Sequence, residues 1–237
     1  LIQHISGAFT LTDVLLNKKF IDEEEVVMIL FQVYFFLHEC RNEFTHYDLH
    51  TGNVMVYEPF PNKKIKYTYH LDSPPITFHS RYIVKIIDYG RCYIKDNNIY
   101  QDLCDACTNC GYDKGYSWLK NKKPEKLRSS YYTTSLYPNV SHDLRCYQLV
   151  HTHLKNEYIN AMKPPYYREQ YGTSPIETDN SQYFLELSRI NIVNVSQCCQ
   201  ELSEVMKTIF TEYDDDNILA FITVYGRFRP MDIIYNQ

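Results

Sequence analysis

The stretch His46-Tyr47-Asp48-Leu49-His50-Thr51-Gly52-Asn53 decides how this chain is read. It is a polar loop with an acid at its third position and an amide at its eighth. It follows an apolar run and precedes the short β-branched and apolar segment 54–57. A second apolar segment, 82–87, leads directly into Asp88-Tyr89-Gly90. Two strands of this kind place whatever follows or precedes them at fixed separations. They can hold Asn53 and Asp88 at a fixed separation while the loop presents Asp48 between them.

Upstream of the loop, Asp22 is expected to cap a long helix, with Glu25 three residues on completing a capping box. Glu23 and Glu24 suit the positive end of the helix dipole. From 26 onward the pattern is apolar almost all round, which predicts a helix buried on most faces and ending near Asn42. A short helix is expected over 13–17. Downstream, helices are expected over 141–157, 182–187 and 197–211. In the last of these, Cys198, Leu202, Val205, Met206 and Ile209 share a face. Residues 58–81, rich in Pro, Lys, Tyr and His, read as a loop or extended hairpin insertion. The sum is a mainly helical α+β domain.

Composition sets outer bounds. The chain has 237 residues and a net charge of −5, with eight cysteines. A near-neutral, slightly acidic balance gives no general nucleic-acid or anionic-membrane binder. The apolar run 26–37 is interrupted by Gln32 and is shorter than the roughly twenty residues a bilayer needs. The cysteines do not form the evenly spaced framework of a small secreted scaffold, so reduced thiols and an intracellular setting are expected.

The pair of motifs resembles H-R-D-x-x-x-x-N and D-F-G of the protein-kinase-like superfamily. Ser141-His142-Asp143-Leu144 resembles the kinase helix whose aspartate braces the catalytic loop from below. The His-x-Asp-Leu-His-x-Gly-Asn form, with Asp143-Leu144-Arg145, is most similar to divergent Ser/Thr kinases of large DNA viruses, and to haspin-like kinases. A viral source would put the protein in host cytoplasm or virion. The resemblance implies a C-terminal lobe with the N-terminal lobe missing. Residues 1–7 would be the hinge, 44–53 the catalytic loop, 58–81 an insertion, 88–138 the activation segment and 139–237 a helical subdomain. The fragment alone would be inactive, because half the ATP cleft would be absent.

The resemblance also assigns roles. Asp48 would be the catalytic base, and Asn53 and Asp88 the magnesium ligands. Phosphoryl transfer needs an in-line hydroxyl and countercharge on the phosphates, and hard oxygen donors suit magnesium. His50 would touch the transferred phosphate or simply pack. His46 would hold the base of the loop, Gly90 would permit a sharp turn after the ligand, and Asp143 would brace the loop. Gln3, His4, Ile5 and Ser6 would offer backbone groups to ATP's adenine edge, with Met55 and Ile87 as apolar surface beside it. The partners implied are ATP and a protein substrate, with no nucleic acid and no membrane. Tyr47 stands where the family carries an arginine, so control by a phosphorylated loop clamped there is not implied. No A-P-E follows; Leu136-Tyr137-Pro138 is the nearest counterpart.

Two alternatives keep parts of this picture. Small-molecule phosphotransferases of the aminoglycoside and choline type share the His-x-Asp-Leu-His-x-Gly-Asn form. A catalytically inert pseudokinase or scaffold would use the helical lobe for binding alone. Separately, Cys104, Cys107 and Cys110 have two-residue gaps that let thiolates converge on zinc, with Cys92 or a histidine as fourth ligand. Free or packed thiols are the alternative.

Overall fold

In a computed structural model of the chain, residues 7–16, 22–71, 74–90, 92–96, 138–161, 187, 190, 192–209, 217–226 and 232–235 are described. They form a mixed arrangement of helices and strands. The hinge residues 1–6, the Cys104, Cys107 and Cys110 cluster and the helix expected over 182–187, except Leu187, lie outside them.

The core is built around helix α2, Glu23–Cys40 (α1 is the short helix Leu11–Leu16). Asp22 caps it, its side chain accepting the Glu25 N–H at 2.8 Å. Between Val26 and Leu37 every residue except Gln32 and Phe36 is buried. A helix covered this thoroughly gains little from propensity and much from apolar burial. The reciprocal half of the expected capping box does not form. The Glu25 carboxylate instead accepts the Ser80 hydroxyl at 2.7 Å and the Arg81 amide at 3.4 Å. The Arg81 guanidinium lies 3.7 Å away. Glu25 thus fastens the start of α2 to a distant part of the chain.

That part is the expected insertion. It is a hairpin of β4, Lys64–Tyr69, and β5, Ile76–Ser80. Period-2 alternation puts Ile65, Tyr67 and Tyr69 inward and Lys64, Lys66 and Thr68 outward. Tyr69 meets Phe35 at 4.7 Å and Phe31 at 5.1 Å between ring centroids, both edge-on. Phe78 stacks on Tyr67 and Tyr69. The hairpin is therefore a wall of the core.

A strand near the C-terminal end, β8 (Ile218–Val224), pairs with β4 in parallel. It also pairs antiparallel with β9, Asp232–Tyr235, giving a sheet of order β5-β4-β8-β9. Residues 139–237, expected to be helical, thus return two strands to the sheet. Before them come α3, Leu144–Ala161, and α4, Val195–Thr208. Asn194 caps α4 by accepting the Gln197 N–H at 2.8 Å. Cys198, Leu202, Val205 and Met206 are buried on one face of α4, and Ile209 just beyond it packs on the core. That face lies against α2.

A second sheet carries the motifs. Its order is β1-β3-β6, all antiparallel, with β1 Phe9–Thr10, β3 Val54–Tyr57 and β6 Ile83–Ile86. A third pairing joins β2, Phe44–Thr45, to β7, Tyr93–Ile94. Among the described residues, no helix is long and apolar enough to cross a membrane.

Burial, more than any other cause, holds the Glu25 carboxyl above the usual carboxylate range. A raised folded pKa means its stabilising contribution is complete below the ordinary glutamate pKa of about 4.3. That contribution fades as pH rises through the raised value. Glu25→Gln keeps an acceptor for Ser80 but cannot titrate. The stability of the wild type relative to this variant is expected to fall as pH rises above the ordinary glutamate pKa of about 4.3 in denaturant titrations. A relative stability that rises there would contradict the assignment.

Candidate active site

The loop that opens on β2 is fixed from beneath by one carboxylate. Asp143, in the turn before α3, accepts the His46 amide at 2.7 Å and the Tyr47 amide at 3.0 Å on its two oxygens. It is buried, as are His46 and Tyr47. Asp143 is itself located by Tyr34 of α2. The Tyr34 hydroxyl donates to the Asp143 carbonyl at 2.8 Å and accepts the Tyr147 amide at 2.9 Å. Burial pushes its ionisation well above the usual tyrosine range, so it stays a neutral donor and acceptor. The Thr45 hydroxyl accepts the Asn139 amide at 2.8 Å, a second tie between the same two segments.

With its backbone so held, the chain adopts φ of +62° at Tyr47, immediately before Asp48. A bulky residue in the left-handed region is uncommon and persists only where its surroundings dictate it. Tyr47 is locked by its two-residue share of Asp143 and by an edge-on contact with the His142 ring, 5.0 Å between centroids.

His46 joins the two motifs. Its Nδ1 accepts the Asp48 amide at 3.3 Å, and its Nε2 lies 2.8 Å from the Ile87 carbonyl. These partners assign the tautomer with the proton on Nε2. Ile87 in turn donates its amide to the Asn53 carbonyl at 3.0 Å. That bond extends the β3–β6 ladder, whose last pair is Val54 with Ile86. Asn53 donates its side-chain amide to the Asp48 carbonyl at 2.9 Å. Four short bonds therefore link Asp48, His46, Ile87 and Asn53 in a ring, with Asp88 as the next residue in the chain.

Asp88 is exposed and has φ of +64°. Here the structure corrects the reading of Gly90. The left-handed backbone falls on the aspartate itself and not on the glycine. A Cβ added at Gly90 would meet only Asp88 Oδ1, at an ordinary 3.5 Å. Gly52 is the glycine under steric demand. A Cβ there would lie 2.9 Å from His50 Cε1. The ring sits so close because His50 Nδ1 accepts the Gly52 amide at 3.0 Å and caps the 3-10 turn Thr51–Asn53.

Charge is concentrated around His50. Burial first, and the Arg145 guanidinium second, push its imidazole below the usual histidine range. Asp48 and Asp88 pull the other way, and His46 adds a smaller push downward. Both carboxylates thus act on the same ring. Arg145 is a site residue that the sequence reading did not single out. Its Nη1 lies 3.0 Å from Asp48 Oδ1.

The remaining expected residues fall as follows. Met55 pairs with Lys85, and Val54 and Val56 point into the core. Alternation puts Met55, Lys85 and Ile87 on the opposite face of the sheet. Ile87 is an exposed apolar side chain. Gln3, His4, Ile5 and Ser6 lie outside the described residues.

Magnesium usually takes one or two protein ligands and fills its remaining positions with water and phosphate oxygens. Asn53 and Asp88 fit that pattern. The Asn53 amide nitrogen is committed to Asp48, which leaves its oxygen as the available donor. The Asp88 carboxylate makes no hydrogen bond or ion pair with described residues. Among those residues, no group of three or more His, Cys, Asp or Glu gathers as a metal cage.

No protein-family model, curated protein or solved structure matches the chain.

Removing the Asp143 carboxylate would leave two buried amides without acceptors. Asp143→Ala is expected to lower stability by about 2–5 kcal/mol. Hydrogen exchange at the His46 and Tyr47 amides should accelerate beyond the change in global stability. A loss near the few tenths of a kcal/mol typical of surface sites, with protection of these amides unchanged, would contradict the bracing role.

Proposed function

We propose that this chain carries the catalytic half of a magnesium- and ATP-dependent phosphotransferase of protein-kinase-like fold, acting on a protein Ser or Thr hydroxyl. The observation that carries the reading is the hydrogen-bonded ring through Asp48, His46, Ile87 and Asn53, which ends at Asp88. These are the positions that the motif resemblance assigns to the base and the two metal ligands. A purely structural loop has no need of an exposed acid in left-handed backbone, a second acid held by a guanidinium, and an amide with its oxygen spare.

The mechanism follows from the donors. Asp48 would accept the proton of the substrate hydroxyl as that oxygen bonds to the terminal phosphorus of ATP. The bond from that phosphorus to the bridging oxygen breaks, and ADP leaves. Magnesium held by Asn53 and Asp88 would supply countercharge to the phosphates. His50, neutral and capped through Nδ1, has Nε2–H available as a donor to the moving phosphoryl group. The exposed face with Met55 and Ile87 would take the adenine. An intracellular setting is part of the same proposal.

The test is transfer of labelled phosphate from ATP by the full-length protein. Label is expected on protein, to depend on magnesium, and to fall by about two to four orders of magnitude in Asp48→Ala with the fold retained. Label on an aminoglycoside or amino alcohol instead would move the substrate class. An Asp48→Ala rate equal to wild type would sink the mechanism. No transfer at all would favour a scaffold.

A further inference from the structure

Two residues around the start of α3 act on the loop, Asp143 just before it and Arg145 in its first turn. Asp143 fixes the loop backbone; Arg145, two positions on, reaches its functional side chain. Arg145 Nη1 stands 3.0 Å from Asp48 Oδ1, with the two side chains 17% and 24% exposed. A carboxylate at the tip of a loop would otherwise rotate about χ1 and χ2. A charge-assisted bond to one oxygen sets the plane of the group. The other oxygen, Oδ2, has no partner among the described residues. The guanidinium approaches from the α3 side, which is anchored to the core through Tyr34. The backbone that carries it is therefore placed independently of Asp48. Arg145 also stands near enough to His50 to act on its charge, so it borders the site from one side.

We propose that Arg145 is the positioning residue for Asp48, holding Oδ1 so that Oδ2 alone is presented to the substrate hydroxyl. The inference rests on the phosphotransfer reading and adds to it a role for Arg145, to which the motif resemblance assigns none. The pair is part-buried, so its loss also costs some stability. Its effect on rate is expected in the geometry of the base, where small misplacements are costly.

The experiment is steady-state phosphotransfer by the full-length protein in wild type, Arg145→Lys and Arg145→Gln, each also in an Asp48→Asn background. The expected order of kcat is wild type, then Lys, then Gln, with Gln reduced on the order of 10- to 100-fold. KM for ATP should stay within about twofold, because uniform binding is not what is lost. In the Asp48→Asn background Arg145→Gln should have no further effect, since it acts through that carboxylate. Wild-type kcat in Arg145→Gln overturns the proposal while leaving the phosphotransfer reading standing. So does an undiminished Arg145→Gln effect on top of Asp48→Asn. No transfer by the wild type overturns both. Should Arg145→Gln fail to fold, Arg145→Lys decides. A lysine keeps the charge but not the guanidinium geometry. A reduced kcat with unchanged KM would then support the proposal, and wild-type kcat would overturn it.

Discussion

A single buried carboxylate sets the geometry of the site. Asp143 spends both oxygens on consecutive backbone amides, those of His46 and Tyr47. Two bonds from one rigid group define both the position and the direction of the loop at the point where it must present Asp48. Taking that carboxylate out of water is costly, and the two amides repay it. The arrangement also explains how a tyrosine at position 47 can be held in left-handed backbone. Further along the loop, His50 caps its own turn at Gly52, and Asn53 is held by Asp48 and by the end of the β3–β6 ladder.

The rest of the fold holds Asp143 still. α2 contributes Tyr34, whose hydroxyl bridges the Asp143 carbonyl and the Tyr147 amide. α2 is itself clamped between α4 and the aromatic wall of the β4–β5 hairpin. Glu25 ties its first turn to the far end of that hairpin. The site thus sits at the end of a chain of contacts that starts in the core and has few exposed links. His46 then carries the constraint across to the strand preceding Asp88, so the two halves of the site move together or not at all.

Much of this was legible in the residues, and the failures have physical causes. The spacing from Asp48 to Asn53 to Asp88 is read through the motif resemblance, and the strands that follow Asn53 and precede Asp88, β3 and β6, pair antiparallel. The α2 start was readable from Asp22, but its capping box was half wrong. Glu25 had a better partner in Ser80, 55 positions away, which no local pattern reveals. Residues 64–69 carry a period-2 alternation, which a reading of 58–81 as loop or hairpin leaves open, and the parallel partner β8 lies some 150 residues on, beyond any local pattern. The motif puts conformational freedom at Gly90, whereas the backbone takes its left-handed residue at Asp88. The Arg145–Asp48 pair spans 97 positions and needed the whole fold to appear. Its one local signal was its place two residues after the bracing aspartate.

On the proposed function, the amide of Asn53 and the carboxylate of Asp88 would face a common point where a divalent cation and nucleotide phosphates meet. Calorimetric titration of the full-length protein with ATP, with and without magnesium, in wild type and in Asp88→Ala, addresses it directly. ATP should bind the wild type more tightly with magnesium than without, and Asp88→Ala should erase the difference. Binding indifferent to magnesium, or an Asp88→Ala protein that keeps the full magnesium effect, would contradict the claim.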